Sequence, residues 1–396
     1  MHHFPIVLAL VRSAMRDPNP AVLQHAERLR EALAESGAAE EADALRLAME
    51  GGKKPNSAKL SPARVVLSRA VSTGEIMTDN TPVPVDKETS APLAEVWSLE
   101  KLAGPQEPLF DDRLRRAVAH LVEQWVGADH LQSAGIKVPR SALFFGAPGT
   151  GKTRLALSIA QTLGLPVVLA RLDGLTSSFL GTTARNVRAL FDFANRYRCL
   201  LLLDEFDGIA KLRDDPQELG EIKRVVNAVL QAMDARSTVG LTIALTNHEG
   251  LLDPAVWRRF DARIHITLPD AVTRTAILQR YLTGFTIPAP SIKVLSWMTD
   301  GFSGSDVETL CDFIKRHLTL NASDRPSVLD AVELFLDLSA TLTRSPPVEA
   351  LIKGRQVWVQ EALGNRDIKI IQSDIAGMMG STQSKVSRLA RSEKAA

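Results

Sequence analysis

The chain has 396 residues, 23% of them charged and 45% apolar, a length that fits about two or three domains. Its 47 Lys and Arg against 46 Asp and Glu leave a formal charge of +1, so no molecule-wide field draws it to nucleic acid or to a membrane, and any such contact has to be local. Two cysteines, Cys199 and Cys311, rule out a disulfide framework and point to a reducing compartment. The longest early apolar run, FPIVLALV, is too short to span a bilayer and lacks the flanks of a signal peptide, which makes a cytoplasmic chain with no membrane contact the expectation.

In chain order, residues 1–50 carry two helical patterns. Leu23, Ala26, Leu29 and Leu33 step at helical spacing, Gly37 breaks the run, and Ala42, Leu45 and Met49 resume it, which predicts a helical hairpin. Residues 51–96 are polar with interspersed Pro and Thr and read as a largely flexible linker. Over 97–270 the pattern changes: the apolar segments ALFFG, PVVLA, LLLLD, LTIALT and ARIHITL alternate with helical stretches. Five strands spaced by helices predict an α/β domain, a parallel sheet with helices on both faces. Residues 271–345 are helical without strands, and 346–396 form a third helical block.

The segment ALFFGAPGTGKTRLALSIA follows the phosphate-loop spacing: Gly146, four residues (Ala147, Pro148, Gly149, Thr150), then Gly151, Lys152 and Thr153, with Arg154 next. Glycines let successive backbone N–H groups turn toward phosphate oxygens. Lys152 adds positive charge at the β- and γ-phosphates, Thr153 offers a hydroxyl to Mg²⁺, and the following helix presents its positive end. ATP and Mg²⁺ are the expected ligands. An apolar strand before the loop and an amphipathic helix after it are the context such a loop needs.

CLLLLDEFDGIA ends an apolar run in Asp204 and Glu205. Strand interiors exclude charge, so two carboxylates at a strand's carboxyl end belong to the crevice where ligands bind. Asp204 is expected to hold Mg²⁺ and Glu205 to orient and deprotonate the attacking water. LTIALTN closes a further strand on Asn247, an uncharged amide able to hold the water or the γ-phosphate without adding negative charge.

Taken together, GAPGTGKT, LLLLDEFDGIAKLRDD, IALTNHEGLLDPAVWRRFDARI and GFSGSDVETLC resemble an AAA+ ATPase, and within it the clade of membrane-protease ATPases, katanin and spastin. The resemblance covers about residues 97–340. It implies that 271–345 is a lid, with Gly304 and Ser305 near the adenine and ribose, although Ser303 or Ser305 also fits a simple helix cap. It implies that Arg258 or Arg259 reaches the nucleotide of a neighbouring subunit, hence a homo-oligomer of six. It implies that Phe179, Leu180 and Gly181 face a central pore and grip polypeptide. A plain packing role for that Phe is the competing reading. The layout of N-terminal hairpin and ATPase core is also similar to bacterial ATPases encoded beside subtilisin-like proteases. No HExxH stands in the sequence, so a protease fed by such a ring is expected to be a separate chain.

Residues 372–391, QSDIAGMMGSTQSKVSRLAR, place Ala376, Gly380, Val386 and Leu389 at helix-turn-helix spacing. The second helix would present Thr382, Gln383, Ser384, Lys385 and Arg388. DNA contact and protein docking both remain open for this block. Three functions therefore compete: a ring that remodels, unfolds or threads proteins, a DNA-associated ATPase docked through the tail, and a slow nucleotide switch. Intact Glu205, Asn247 and arginines argue against the third.

Overall fold

The computed structural model describes residues 74–78, 81–102, 108–171, 180–210, 219–236, 240–321, 326–339, 345–365 and 368–391, with Ala38. The chain divides into two compact units, Met1–Ala63 and Arg64–Ala396, and every element below belongs to the second. The hairpin expected within residues 1–50 lies outside the described residues, Ala38 apart.

The elements of the α/β part run β1 (Ala94–Trp97), α1 (Leu99–Leu102), α2 (Asp112–Val126), α3 (Ala128–Ser133), β2 (Ser141–Phe145), α4 (Lys152–Leu163) and β3 (Val167–Ala170). They continue as α5 (Leu180–Arg196), β4 (Leu200–Leu203), α6 (Asp207–Ala210), α7 (Leu219–Arg236), β5 (Leu241–Thr246), α8 (Pro254–Trp257) and β6 (Ala262–His265). The sheet order is β1-β3-β4-β5-β2-β6. The five expected strands are there and pair in parallel.

A sixth strand corrects the expected count. β1 joins the edge antiparallel to β3, Ala94 opposite Ala170 and Trp97 opposite Val167. Its first three residues lie inside the stretch read as linker, and Trp97 opens the stretch read as the α/β domain. Ala94 and Val96 face inward while Glu95 is exposed, the alternation of an edge strand, but four residues are too few for that period to stand out in a sequence.

Strand periodicity explains why LLLL is buried throughout. Leu200 and Leu202 pack into the core shared with α2 and α4, around Trp125, Leu155 and Leu163. Leu201 and Leu203 pack on the opposite face with Val187, Leu190 and Phe191 of α5 and Met233 of α7. A parallel sheet covered on both sides needs such continuous apolar strands. Three layers result, and the carboxyl ends of β2, β4 and β5 share one edge.

The rest is helical: α9 (Ala271–Tyr281), α10 (Ala289–Met298), α11 (Gly304–Leu320) and α12 (Val328–Leu338), then α13 (Pro346–Lys353), α14 (Arg355–Gly364), α15 (Gln372–Met378) and α16 (Gln383–Arg391). Ser303 and Asp306 form a reciprocal cap on α11, and Ser327 and Asp330 one on α12, each satisfying backbone N–H groups that a helix start leaves open. The sequence separates 271–345 from 346–396, yet both halves feed one core. Val294, Leu310 and Phe335 are buried with Trp358, Ile375 and Val386, and the rings of Trp297 and Trp358 lie 6.3 Å apart. Lys293 pairs with Asp374 at 2.8 Å, and Arg355 bridges to Asp330 and Glu333.

Candidate functional site

The phosphate loop leaves β2 at Gly146 and enters α4 at Lys152. Two of its glycines are required for reasons the spacing alone does not show. Gly146 has φ +143°, and a Cβ there would stand 2.2 Å from the carbonyl oxygen of Ile266, so the chain leaving β6 forbids any side chain. Gly149 has φ +75°, and a Cβ there would meet Ser303 Oγ at 2.4 Å and Ser305 Cβ at 3.0 Å. The loop therefore packs directly on the lid's first turn, where Ser305 N–H donates to the Gly149 carbonyl at 3.0 Å.

Lys152 is buried, and its Nζ donates to the carbonyls of Gly146 at 2.8 Å and Ala147 at 2.7 Å. Burial pushes its ammonium below the ordinary pKa, while Asp204, Asp207 and Glu249 pull it back up. Thr150 Oγ1 donates to the Ala147 carbonyl at 2.8 Å and ties the loop to itself. At the end of β4, Asp204 Oδ2 accepts from Thr153 Oγ1 at 3.1 Å. The hydroxyl and the carboxylate thus stand together as hard oxygen donors of the kind Mg²⁺ takes.

Glu205 has φ +50°, a left-handed conformation that is uncommon for a side-chain-bearing residue. Its N–H donates to Asp204 Oδ1 at 2.9 Å, its carbonyl accepts from Gly208 N–H, and its side chain is exposed to the cleft. The next residue holds this turn in place. Phe206 is buried, donates its N–H to the Leu245 carbonyl at 2.8 Å, and meets Phe260 edge-on. Backbone strain of this kind persists only where its surroundings over-determine it. Asp207 is not among the residues lining the cleft and accepts from Thr246 Oγ1 at 2.8 Å.

A cleft of about 380 Å³ collects these groups. Pro148, Gly149, Thr150, Gly151, Lys152, Thr153, Arg154, Asp204, Glu205, Asn247, Gly304 and Ser305 all line it. Gly146 and Ala147 contribute through the carbonyls that hold Lys152. Ser303 caps its helix, and Ser305 lines the cleft, so both readings of the GFSGSD segment have a residue. The glycines that clear the floor, the buried ammonium and the Thr153–Asp204 pair together fit a nucleoside triphosphate carrying a divalent cation.

Five further sequence-derived residues are not among the groups that line the cleft. Arg258 and Arg259 are exposed after α8 and do not line the cleft. Arg259 is paired with Asp234 at 2.7 Å, whereas Arg258 has no ion pair among the described residues. Their segment is fixed from behind by Asp261, which accepts from Lys137 Nζ, the N–H groups of Arg140 and Ser141, and Ser141 Oγ. Burial alone would raise the Asp261 carboxyl, yet those bonds bring it below the ordinary aspartate range. Phe179 lies outside the described residues; Leu180 and Gly181 form the first turn of α5 rather than a loop.

Some groups in the cleft went unread in the sequence. Phe110, Ile277, Arg280, Tyr281 and Glu308 also line it. Arg154 donates to Tyr281 Oη at 2.7 Å and pairs with Glu308 at 2.8 Å, so it reaches across to the lid. Glu308, bonded to the guanidinium, holds Arg154 above its ordinary range against partial burial. Phe110, Ile277, Arg280 and Tyr281 belong to no short motif, and Glu308 stands inside GFSGSDVETLC without a role assigned to it there. One signal existed: Tyr281 is one of only 2 tyrosines, placed at the end of the lid's first helix.

Comparison with known proteins comes to the same region. Residues 142–268 match the family described as "ATPase family associated with various cellular activities (AAA)". The chain is 39% identical over 199 residues to an uncharacterized AAA family ATPase, y4kL, of Sinorhizobium fredii, covering 50% of this chain and 59% of that one. It is 33% identical over 201 residues to the ATP-dependent zinc metalloprotease FtsH 3 of Sphaerobacter thermophilus, covering 49% and 41%. A putative 26S proteasome regulatory subunit homolog of Methanocaldococcus jannaschii is 33% identical over 174 residues, covering 43% and 47%. The crystal structure of the FIGL-1 AAA domain aligns at 28% identity and a TM-score of 0.45, covering 52% of this chain and 69% of that one. The chain thus spans about two-fifths to three-fifths of the length of these curated relatives. Among the described residues no helix is long and apolar enough to cross a membrane.

Proposed function

We propose, from the premise that residues 142–268 form an AAA-family ATPase domain, that this chain hydrolyses ATP to ADP and phosphate and uses the cycle to remodel or thread polypeptide. The observation that carries the reading is the convergence of four separate segments on one cleft: the phosphate loop, the Asp204–Glu205 turn, Asn247 and the lid's first turn. Loop N–H groups and Lys152 take the phosphates. Thr153 and Asp204 hold Mg²⁺, which neutralises phosphate charge when bound. Glu205 orients a water for attack on the γ-phosphorus and accepts its proton, and Asn247 fixes that water without adding charge.

The two arginines fit a site completed by a second copy. They sit off the cleft of their own protomer, and an arginine supplied in trans is worth roughly 10³–10⁵ in turnover. With Arg259 tied to Asp234 and Arg258 without an ion pair among the described residues, Arg258 is the proposed side chain to cross, which makes a ring of like subunits, six in the family it resembles, the working assembly. Two relatives are named as an ATP-dependent zinc metalloprotease and a proteasome regulatory subunit homolog, which supports polypeptide as the substrate class and a separate protease chain as a partner. Phe179, Leu180 and Gly181 are the proposed gripping segment.

The test is direct. Lys152→Ala removes the charge at the phosphates and is expected to lose nucleotide binding in a fluorescent-ATP titration. Glu205→Gln keeps binding and loses turnover by about 10²-fold or more. Equal ATP affinity in wild type and Lys152→Ala would overturn the assignment of the cleft.

A further inference from the structure

We propose that the outward face of α16, with Thr382 just before it, is a binding surface for double-stranded DNA, with Thr382, Gln383 and Ser384 turned to base edges and Lys385, Arg388 and Arg391 to phosphates. This goes beyond the ATPase reading and stands on different residues.

The helix is held from behind. Val386 is completely buried, and Leu389 and Ala390 pack on the shared helical core. Gln360 Nε2 donates to the Ala390 carbonyl at 3.4 Å. The turn before it is made by Gly380 at φ +57°, with Ser381 N–H donating to the Ala376 carbonyl at 3.0 Å. Ala376 on α15 is buried beneath that turn. A helix docked this way is presented rather than swung, as a groove-reading helix must be.

What it presents is polar and basic. Thr382, Gln383, Ser384, Lys385, Arg388 and Arg391 are all exposed. At 100° per residue, Ser384, Arg388 and Arg391 fall on one stripe opposite Val386, and Lys385 flanks it. α16 contains no acidic residue. The one acid of α15, Asp374, is buried and neutralised by Lys293 at 2.8 Å. Among the described residues, Lys385, Arg388 and Arg391 have no ion-pair partner. Among the described residues, a near-neutral chain thus gathers three cations without ion-pair partners on one small face, the electrostatic footprint of a nucleic-acid site.

Two further observations favour duplex DNA over a protein partner. No large apolar side chain is exposed among the described residues of 372–391, whereas the centre of a protein interface is apolar and depleted of charge. And α16 is a regular helix of 9 residues, and a helix about 10–12 Å across with its side chains suits a major groove about 12 Å wide. The short polar side chains stand at its N-terminal end, the end that meets base edges in helix-turn-helix proteins.

The test uses the full chain, because the block shares its core with the lid. A fluorescein-labelled mixed-sequence duplex of about 30 base pairs is titrated by anisotropy, without nucleotide, from about 20 to 200 mM NaCl. Saturable binding that weakens with salt is expected. Arg388→Ala and Lys385→Ala should each lower the log–log salt slope by about one. The Lys385→Glu/Arg388→Glu double variant should abolish binding while melting temperature and ATP turnover stay at wild-type values. No anisotropy change at the lowest salt, the outcome for a face that recruits protein instead, would overturn the proposal. Binding that survives the double variant would overturn it equally. Because no ATP is present, neither result bears on the hydrolysis reading.

Discussion

Arg154 shows how a residue one step beyond a motif can carry a separate duty. It follows Lys152 and Thr153 in sequence, but its guanidinium is spent on Tyr281 and Glu308 of the lid rather than on the phosphate loop. The pair is partly exposed, 48% and 27% for the two side chains, so it contributes about 0.2–1 kcal/mol. Such a clamp between the wall and the roof of the cleft resists opening. Arg154→Leu and Glu308→Gln are each expected to speed release of a fluorescent ADP analogue about two- to fivefold, with little change in melting temperature. Rising salt should accelerate release from the wild type and not from either variant. An unchanged release rate would show that the pair is only a surface contact. The loop glycines, Lys152, Asp204 and Glu205 were legible because phosphate and metal chemistry fixes their types and spacing. Arg280, Tyr281 and Glu308 were not, since they reach the cleft only through the way α9 and α11 fold over it, and no spacing records that.

At the scale of elements, the same contrast separates strands from helices. β2, β3, β4 and β5 are buried on both faces, so each announces itself as a largely apolar run, as Leu200–Leu203 does, whereas β6 at the sheet edge exposes Arg263 and His265. β1 is half exposed and four residues long, and it leaves no such trace. The join between lid and C-terminal block was equally invisible: the apolar stripes of α10 and α14 can be read separately, but that they face each other depends on the chain's path between them. One core implies one cooperative unit. Trp358 is completely buried between the two halves, and truncating a buried Trp to Ala typically costs about 3–5 kcal/mol. Trp358→Ala should therefore speed hydrogen exchange in α10 and α14 together, alongside a drop in melting temperature. Faster exchange confined to α13–α16 would mean that the tail folds by itself.

At the scale of the whole molecule, one copy leaves two of its charged groups outside its own cleft. The cleft gathers the phosphate loop, Asp204, Glu205, Asn247 and the lid's first turn from a single chain, yet Arg258 and Arg259 do not line it. Arg258 and Arg259 are presented on a segment pinned by the Asp261 network and aimed nowhere within their own protomer's site. The proposed division of the site between copies would account for that arrangement, and it would couple the copies, because hydrolysis in one subunit would then depend on the position of the next. The most direct measurement is phosphate release from an equimolar mixture of two variants that are each inactive, Glu205→Gln and the Arg258→Ala/Arg259→Ala double variant. Only an interface that pairs an intact Glu205 with intact arginines can turn over, and random assembly in a closed ring makes about one interface in four competent. Recovery to about a quarter of wild-type turnover is the predicted result. Undiminished turnover in the arginine variant alone, or a mixture as silent as its components, would contradict the shared site.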